Sequence, residues 1–124
     1  MRLNQVTQSV SDLLRSIAFY RALGLQLIVH DNDHYARFAC PDGDSTFSLH
    51  LHDDVRPSPT VVYFECDDLD AQVARLRSIG ITIGDAVDQS WGWREASLVD
   101  PDGHPILLFR AGSYRLDPPW RLRD

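Results

Sequence analysis

Four side chains able to hold a metal or move a proton crowd into the stretch SLHLHDD (48–54), where His50, His52, Asp53 and Asp54 follow almost without interruption. Imidazole and carboxylate are ordinary ligands for first-row metals, and histidines two apart on a strand project from one face. Two readings follow. The histidines form the corner of a metal site, or they end a strand that runs into a solvated turn, with His52 fraying into water beside Asp53 and Asp54. The second is the simpler. Cys40 and Cys66 stand far apart and form no CxxC pair, so reduced thiols are expected rather than a zinc knuckle or a redox pair.

The elements that would position such residues are written twice in the chain. SVSDLLRSIAFYRALGL (9–25) and ECDDLDAQVARLRSIGI (65–81) align without a gap, setting Asp12 and Leu13 on Asp68 and Leu69, Ala18 on Ala74, Arg21 on Arg77 and Gly24 on Gly80. Each copy predicts a helix. Ser11 or Asp12, and Asp67 or Asp68, suit the cap of the first turn; Leu13, Ile17, Tyr20 and Leu23, or Leu69, Val73, Leu76 and Ile79, make an apolar stripe; Gly24 or Gly80 ends it. Strand candidates precede each helix (LNQVTQSV, TVVYFEC) and follow it (LQLIVH, HYARFAC, TFSLHLH; ITIGDAV, REASLV, ILLFRA). CPDGD (40–44) and DPDGH (100–104) each place a Pro-Asp-Gly turn between the last two strands of a copy, the glycine suiting a positive φ. The expected class is α+β, built from tandem β-α-β-β-β modules over about 3–54 and 61–111. VRPSPT (55–60) would link them, and the prolines of the tail 112–124 bar it from extending the sheet.

Composition narrows the partners. The 124 residues, 44% hydrophobic, suit one domain with a real core rather than a disordered chain. A net charge of −6, no lysine and scattered arginines would repel a phosphate backbone, so no nucleic acid is expected. No apolar run approaches the roughly 20 residues that span a bilayer, and MRLNQVTQSV carries no signal-type apolar region. No membrane contact is expected, and the cytoplasm is the expected compartment.

Two segments carry a family resemblance. VSDLLRSIAFYRALGL (10–25) and WGWREASLVDPDGHPILLF (91–109) are similar to the strand-helix opening and the closing hairpin of the vicinal oxygen chelate superfamily. That superfamily includes glyoxalase I, bleomycin-resistance proteins, fosfomycin-resistance enzymes and ring-cleaving dioxygenases. With the tail PPWR the segments resemble its bacterial glyoxalase-like subgroup, and the likeness runs from about Leu3 to Ala111. It implies that the modules form a curved, cavity-enclosing mixed sheet with the helices on the outer face. In metal-dependent members one ligand comes from the first strand and one from the last strand of each half. Alignment places Gln5, His50, Val61 and Leu107 there, and Val61 and Leu107 have no lone pair to offer. Gln5 and His50, joined by His52 on the same strand face, are left as the alternative three-ligand set, so no resident metal or other cofactor is expected, a divalent ion at those residues being the alternative. SLHLHDD also resembles the HxHxDH motif of metallo-β-lactamase-like hydrolases through His50, His52 and Asp54, with Val55 in place of the closing His.

If those four positions face the cavity, strand alternation turns Tyr63, Glu65, Trp93, Glu95 and Phe109 inward beside Gln5 and His50, and Leu49, Leu51, Val62, Phe64, Ala96 and Leu98 toward the helices. Aromatic walls with two carboxylates suit a flat or cationic small molecule. Glutamates also pair readily with arginine, for instance Arg94 or Arg115, and Trp93 could be core. Three functions remain open. The preferred one is a metal-free binding protein of the bleomycin-resistance type that takes an aromatic or cationic compound. The others are a metal-free enzyme using Glu95 or Glu65 as base, and a metal-dependent lyase, isomerase or dioxygenase. The resemblance also implies a homodimer, for which the tail residues Arg115, Trp120 and Arg121 would serve as a lid or dimer contact.

Overall fold

The computed structural model describes residues 1–123. The fold is α+β and follows the repeat: β1 (Gln5–Val10), α1 (Leu13–Leu23), β2 (Gln26–Asp31), β3 (Tyr35–Ala39) and β4 (Thr46–Leu51), then β5 (Val62–Glu65), α2 (Leu69–Ser78), β6 (Val87–Asp88), β7 (Arg94–Val99) and β8 (Pro105–Arg110). The chain divides into two compact units. The first holds residues 1–57 together with the turn Asp100–Gly103; the second holds 58–99 and the chain from His104 onward. Each unit has one open, four-stranded mixed sheet, ordered β1-β4-β3-β2 in the first and β5-β8-β7-β6 in the second. In both, the first strand runs parallel to the last and the remaining pairs are antiparallel. No helix among the described residues is long and apolar enough to cross a membrane.

In the first unit Leu13, Ile17 and Tyr20 bury one stripe of α1, while Ala36, Phe38, Phe47 and Leu49 bury one face of the sheet. The Tyr20 ring lies 4.7 Å from that of Phe47 and 6.1 Å from that of Phe38. The Asp12 carboxylate accepts from the Arg15 N–H at 3.0 Å, satisfying one of the donors that a helix start leaves free. Gly24 takes φ 109°, which lets the Leu25 N–H return to the Tyr20 carbonyl at 3.1 Å and close the helix. The buried Tyr20 hydroxyl donates to Asp100 Oδ2 at 2.8 Å; burial, then the charge and hydrogen bond of Asp100, push this phenol far above its ordinary range.

In the second unit Leu69, Val73 and Leu76 bury α2, and Ala96, Leu98, Ile106 and Leu108 bury the sheet. Four expectations are corrected here or in the turns. The Asp68 side chain makes no cap bond and instead accepts from Gln72 Nε2 at 3.0 Å, while Ile79, expected in the apolar stripe, is exposed. ITIGDAV contributes only Val87–Asp88 as strand. Its Gly84 N–H reaches the Ser97 carbonyl at 2.9 Å, but the Ile83 carbonyl is taken by Arg77 at 3.0 Å, and Arg77 continues to Asp85 at 2.7 Å, so the ladder is interrupted. The two Pro-Asp-Gly turns share an i to i+3 bond, yet only Gly103 has positive φ, at 83°; Gly43 does not need it.

Candidate ligand-binding site

The open face of the second sheet, opposite its apolar face, collects the aromatic residues that alternation selects. Register pairs Glu65 with Phe109 and Phe109 with Glu95, so one row across three strands reads Glu65-Phe109-Glu95. The next row reads Tyr63-Leu107-Ser97. Neighbouring strands lie about 4.8 Å apart, which sets both glutamates beside the Phe109 ring. Trp93, one residue before β7, stacks on Phe109 with centroids 4.8 Å apart and planes 23° apart. Tyr63 stands edge-on to both, 6.1 Å from Trp93 and 5.6 Å from Phe109. Phe109 is buried, whereas Tyr63 is 47% exposed, so the cluster has a closed floor and an accessible wall.

A tight turn aims Trp93. The Gln89 N–H donates to the Trp93 carbonyl at 2.7 Å, and Gly92 takes φ 84° inside the turn. A Cβ added at Gly92 would stand 2.1 Å from the Tyr114 ring, so glycine is required both by the backbone and by the close approach of the tail. Tyr114, on a single 3-10 turn at Gly112–Tyr114, returns a carbonyl to the Trp93 indole N–H at 3.4 Å.

The two carboxylates have different surroundings. Glu65 Oε2 accepts from the N–H groups of Ala111 and Gly112 at 2.8 and 3.0 Å, and its Oε1 lies 3.5 Å from Arg115 Nε. Glu65 therefore tethers the start of the tail, with Arg115 as the arginine partner. Glu95 is half-buried and, among the described residues, its carboxylate meets no hydrogen-bond or ion-pair partner. Arg94 is engaged elsewhere, by Asp70 at 2.9 Å and Asp88 at 3.1 Å. The second unit thus offers stacked rings beside one uncommitted negative charge.

Gln5, His50 and His52 belong to the first unit, and the register separates them. Gln5 pairs with Thr46 on β4, while His50 pairs with Ser9 on β1; the two rows are offset by four residues of strand, about 13 Å. A glutamine and a histidine cannot both reach one ion across that gap, so the three-ligand set Gln5, His50 and His52 is corrected to a histidine pair alone. His50 Nδ1 lies 2.7 Å from His52 Nε2, and Gln5 Oε1 accepts from the Thr46 hydroxyl at 2.8 Å. Register also shows why the alignment slipped. Leu107 pairs with Tyr63, and the corresponding pair in the first unit is Ser48 with Thr7, so Ser48 rather than His50 occupies the matching place. The donor set at the places that the resemblance assigns to a metal therefore does not fit a divalent cation: two are hydrocarbon, and the amide and the imidazole lie rows apart. Sequence reasoning passed over Tyr35 and Arg37, which lie in the rows of His50 and Ser48; alternation along HYARFAC would have found them.

A family model described as Glyoxalase/Bleomycin resistance protein/Dioxygenase superfamily matches residues 2–108. A solved bleomycin-binding protein in complex with bleomycin is 25% identical, with a TM-score of 0.74 over 89% of this chain and 98% of that one. A bleomycin resistance determinant encoded on the transposon Tn5 is likewise 25% identical, with a TM-score of 0.75 over the same shares. A lactoylglutathione lyase from Agrobacterium tumefaciens, 18% identical, has a TM-score of 0.78 over 94% of this chain and 96% of its own and bears on the fold alone. No curated protein matches by sequence.

Proposed function

The chain belongs to the glyoxalase/bleomycin resistance protein/dioxygenase superfamily, and within it we propose that this protein binds a flat aromatic or cationic small molecule on the Tyr63, Trp93 and Phe109 cluster. The observation that carries the reading is the Trp93–Phe109 stack walled by Tyr63 and flanked by the uncommitted Glu95. Stacked rings favour a planar guest, and a carboxylate beside them favours a positive one. The solved relative holding bleomycin makes that compound a sensible first probe. Tryptophan fluorescence, titrated with bleomycin and with ethidium, should show saturable quenching. Trp93→Phe should remove most of the response, and Glu95→Gln should weaken ethidium several-fold while leaving neutral naphthol unchanged. Identical quenching in Trp93→Phe would refute the site.

The freedom of Glu95 also favours a second reading, in which it acts as general base on a bound carbonyl compound. Turnover abolished by Glu95→Gln in a folded protein would support it over binding alone. Dimerisation is part of the proposal: Leu116, Trp120 and Leu122 leave apolar surface on the tail, suited to a second copy. Light scattering should then report twice the 14.1 kDa chain mass. The unbridged cysteines Cys40 and Cys66 suit the reducing cytoplasm.

A further inference from the structure

The open face of the first sheet carries a chemistry that the aromatic site does not use. One row reads Thr7-Ser48-Arg37 and the next Ser9-His50-Tyr35. Arg37 Nε donates to the Tyr35 hydroxyl at 2.9 Å, and its guanidinium carbon lies 5.4 Å from the centroid of the Tyr35 ring. Beneath them the buried Ser48 Oγ lies 2.7 Å from Thr7 Oγ1, and Ser48 also hydrogen-bonds Tyr35. Burial would raise the Tyr35 phenol, but the bonds from Ser48 and Arg37 and the Arg37 charge outweigh it and hold the phenol below its ordinary value. Arg37 is half-buried, yet among the described residues no carboxylate pairs with it and its two Nη groups have no protein acceptor. Arg94 in the second unit, by contrast, has two aspartates. A half-buried guanidinium held by its Nε, with its outer edge free, presents a fixed donor fork.

We propose that Arg37 and Tyr35 bind the carboxylate of a small organic monoanion, the guanidinium fork taking the two oxygens and the Tyr35 hydroxyl donating to one of them. One permanent cation matches one negative charge. Asp31, in register with Tyr35 on the same side, disfavours anions of higher charge. Every residue of this site belongs to the first unit.

The test is an NMR titration of the whole protein with benzoate, acetate and inorganic phosphate at constant ionic strength, followed at the Arg37 side-chain N–H and the Tyr35 and Ser48 amides. Both carboxylates should give saturable shifts there, and phosphate should bind more weakly. Arg37→Lys, which keeps the charge but loses the fork, should weaken benzoate about tenfold, the scale of one charge-assisted hydrogen bond. Tyr35→Phe should weaken it by a smaller factor. Shifts that stay linear for all three anions, tighter binding of phosphate than of carboxylate, or unaltered binding in Arg37→Lys would each overturn the proposal.

Discussion

Laid row on row, the two units are one lattice with two chemistries. On the faces that carry the buried core, Val6-Phe47-Phe38 in the first unit answers Val62-Ile106-Leu98 in the second, and the apolar character is kept. On the opposite faces Ser9-His50-Tyr35 answers Glu65-Phe109-Glu95, and Thr7-Ser48-Arg37 answers Tyr63-Leu107-Ser97. Thr7, Ser9 and the His50 imidazole stand where Tyr63, Glu65 and the Phe109 ring stand in the other unit, and the Arg37 guanidinium stands where Ser97 does. A core face is limited to apolar side chains by the cost of burying anything else, whereas an open face carries no such limit and can take on separate tasks.

The helices repeat the lesson, and substitutions can break it. Tyr20 and Leu76 occupy equivalent, fully buried positions, but one ends in a hydroxyl bonded to Asp100 and the other is hydrocarbon. The largest effect is expected from Leu76→Ala, about 2–5 kcal/mol in urea unfolding, because a cavity replaces the side chain. Tyr20→Phe should cost about 1–3 kcal/mol, since Asp100 loses a buried donor. A negligible cost for Tyr20→Phe would mean that the two positions act alike.

A smaller contrast separates the helix starts. Asp12→Ala should cost about 1 kcal/mol through the lost cap bond, whereas Asp68→Ala should stay within about 0.5 kcal/mol. Equal costs would show that Asp68 caps α2 in solution after all.

The smallest effect concerns the two arginines. The hydrogen bond from Arg94, with the Arg94 charge, holds the Asp70 carboxyl below the ordinary value. The favourable contribution of that pair is therefore complete above the unfolded carboxylate pKa and is lost as pH falls through the lower folded value. NMR titration should find Asp70 below the usual carboxylate range, and Arg94→Gln should return it there. An unshifted Asp70 in the native protein would leave Arg94 with Asp88 as its one carboxylate partner.

Much of this arrangement was legible beforehand because it rests on period and local chemistry. Tyr63, Trp93 and Phe109 came from alternation along three short strands, and α1 and α2 from paired stripes ended by Gly24 and Gly80. The placement of His50 failed because an alignment anchored on the helices says nothing about strands beyond a turn of different length. The hydrogen-bonded register decides it, and it assigns that row to Ser48. Glu65 and Glu95 looked equivalent for a similar reason: in sequence both are inward glutamates, and nothing local reveals that the tail brings the Ala111 and Gly112 amides back to only one of them.

The sequence by itself determined the duplicated α+β plan, the apolar core faces and the family, since these depend on residue type at fixed spacing. Only the tertiary structure decided which polar side chains meet: that Glu65 holds the tail while Glu95 stays free, that Gln5 and His50 lie rows apart, and that Arg37 rests on Tyr35 without a carboxylate. Burial pattern is local along a strand, whereas partnership between polar groups is set by register and by chain segments that return from far away.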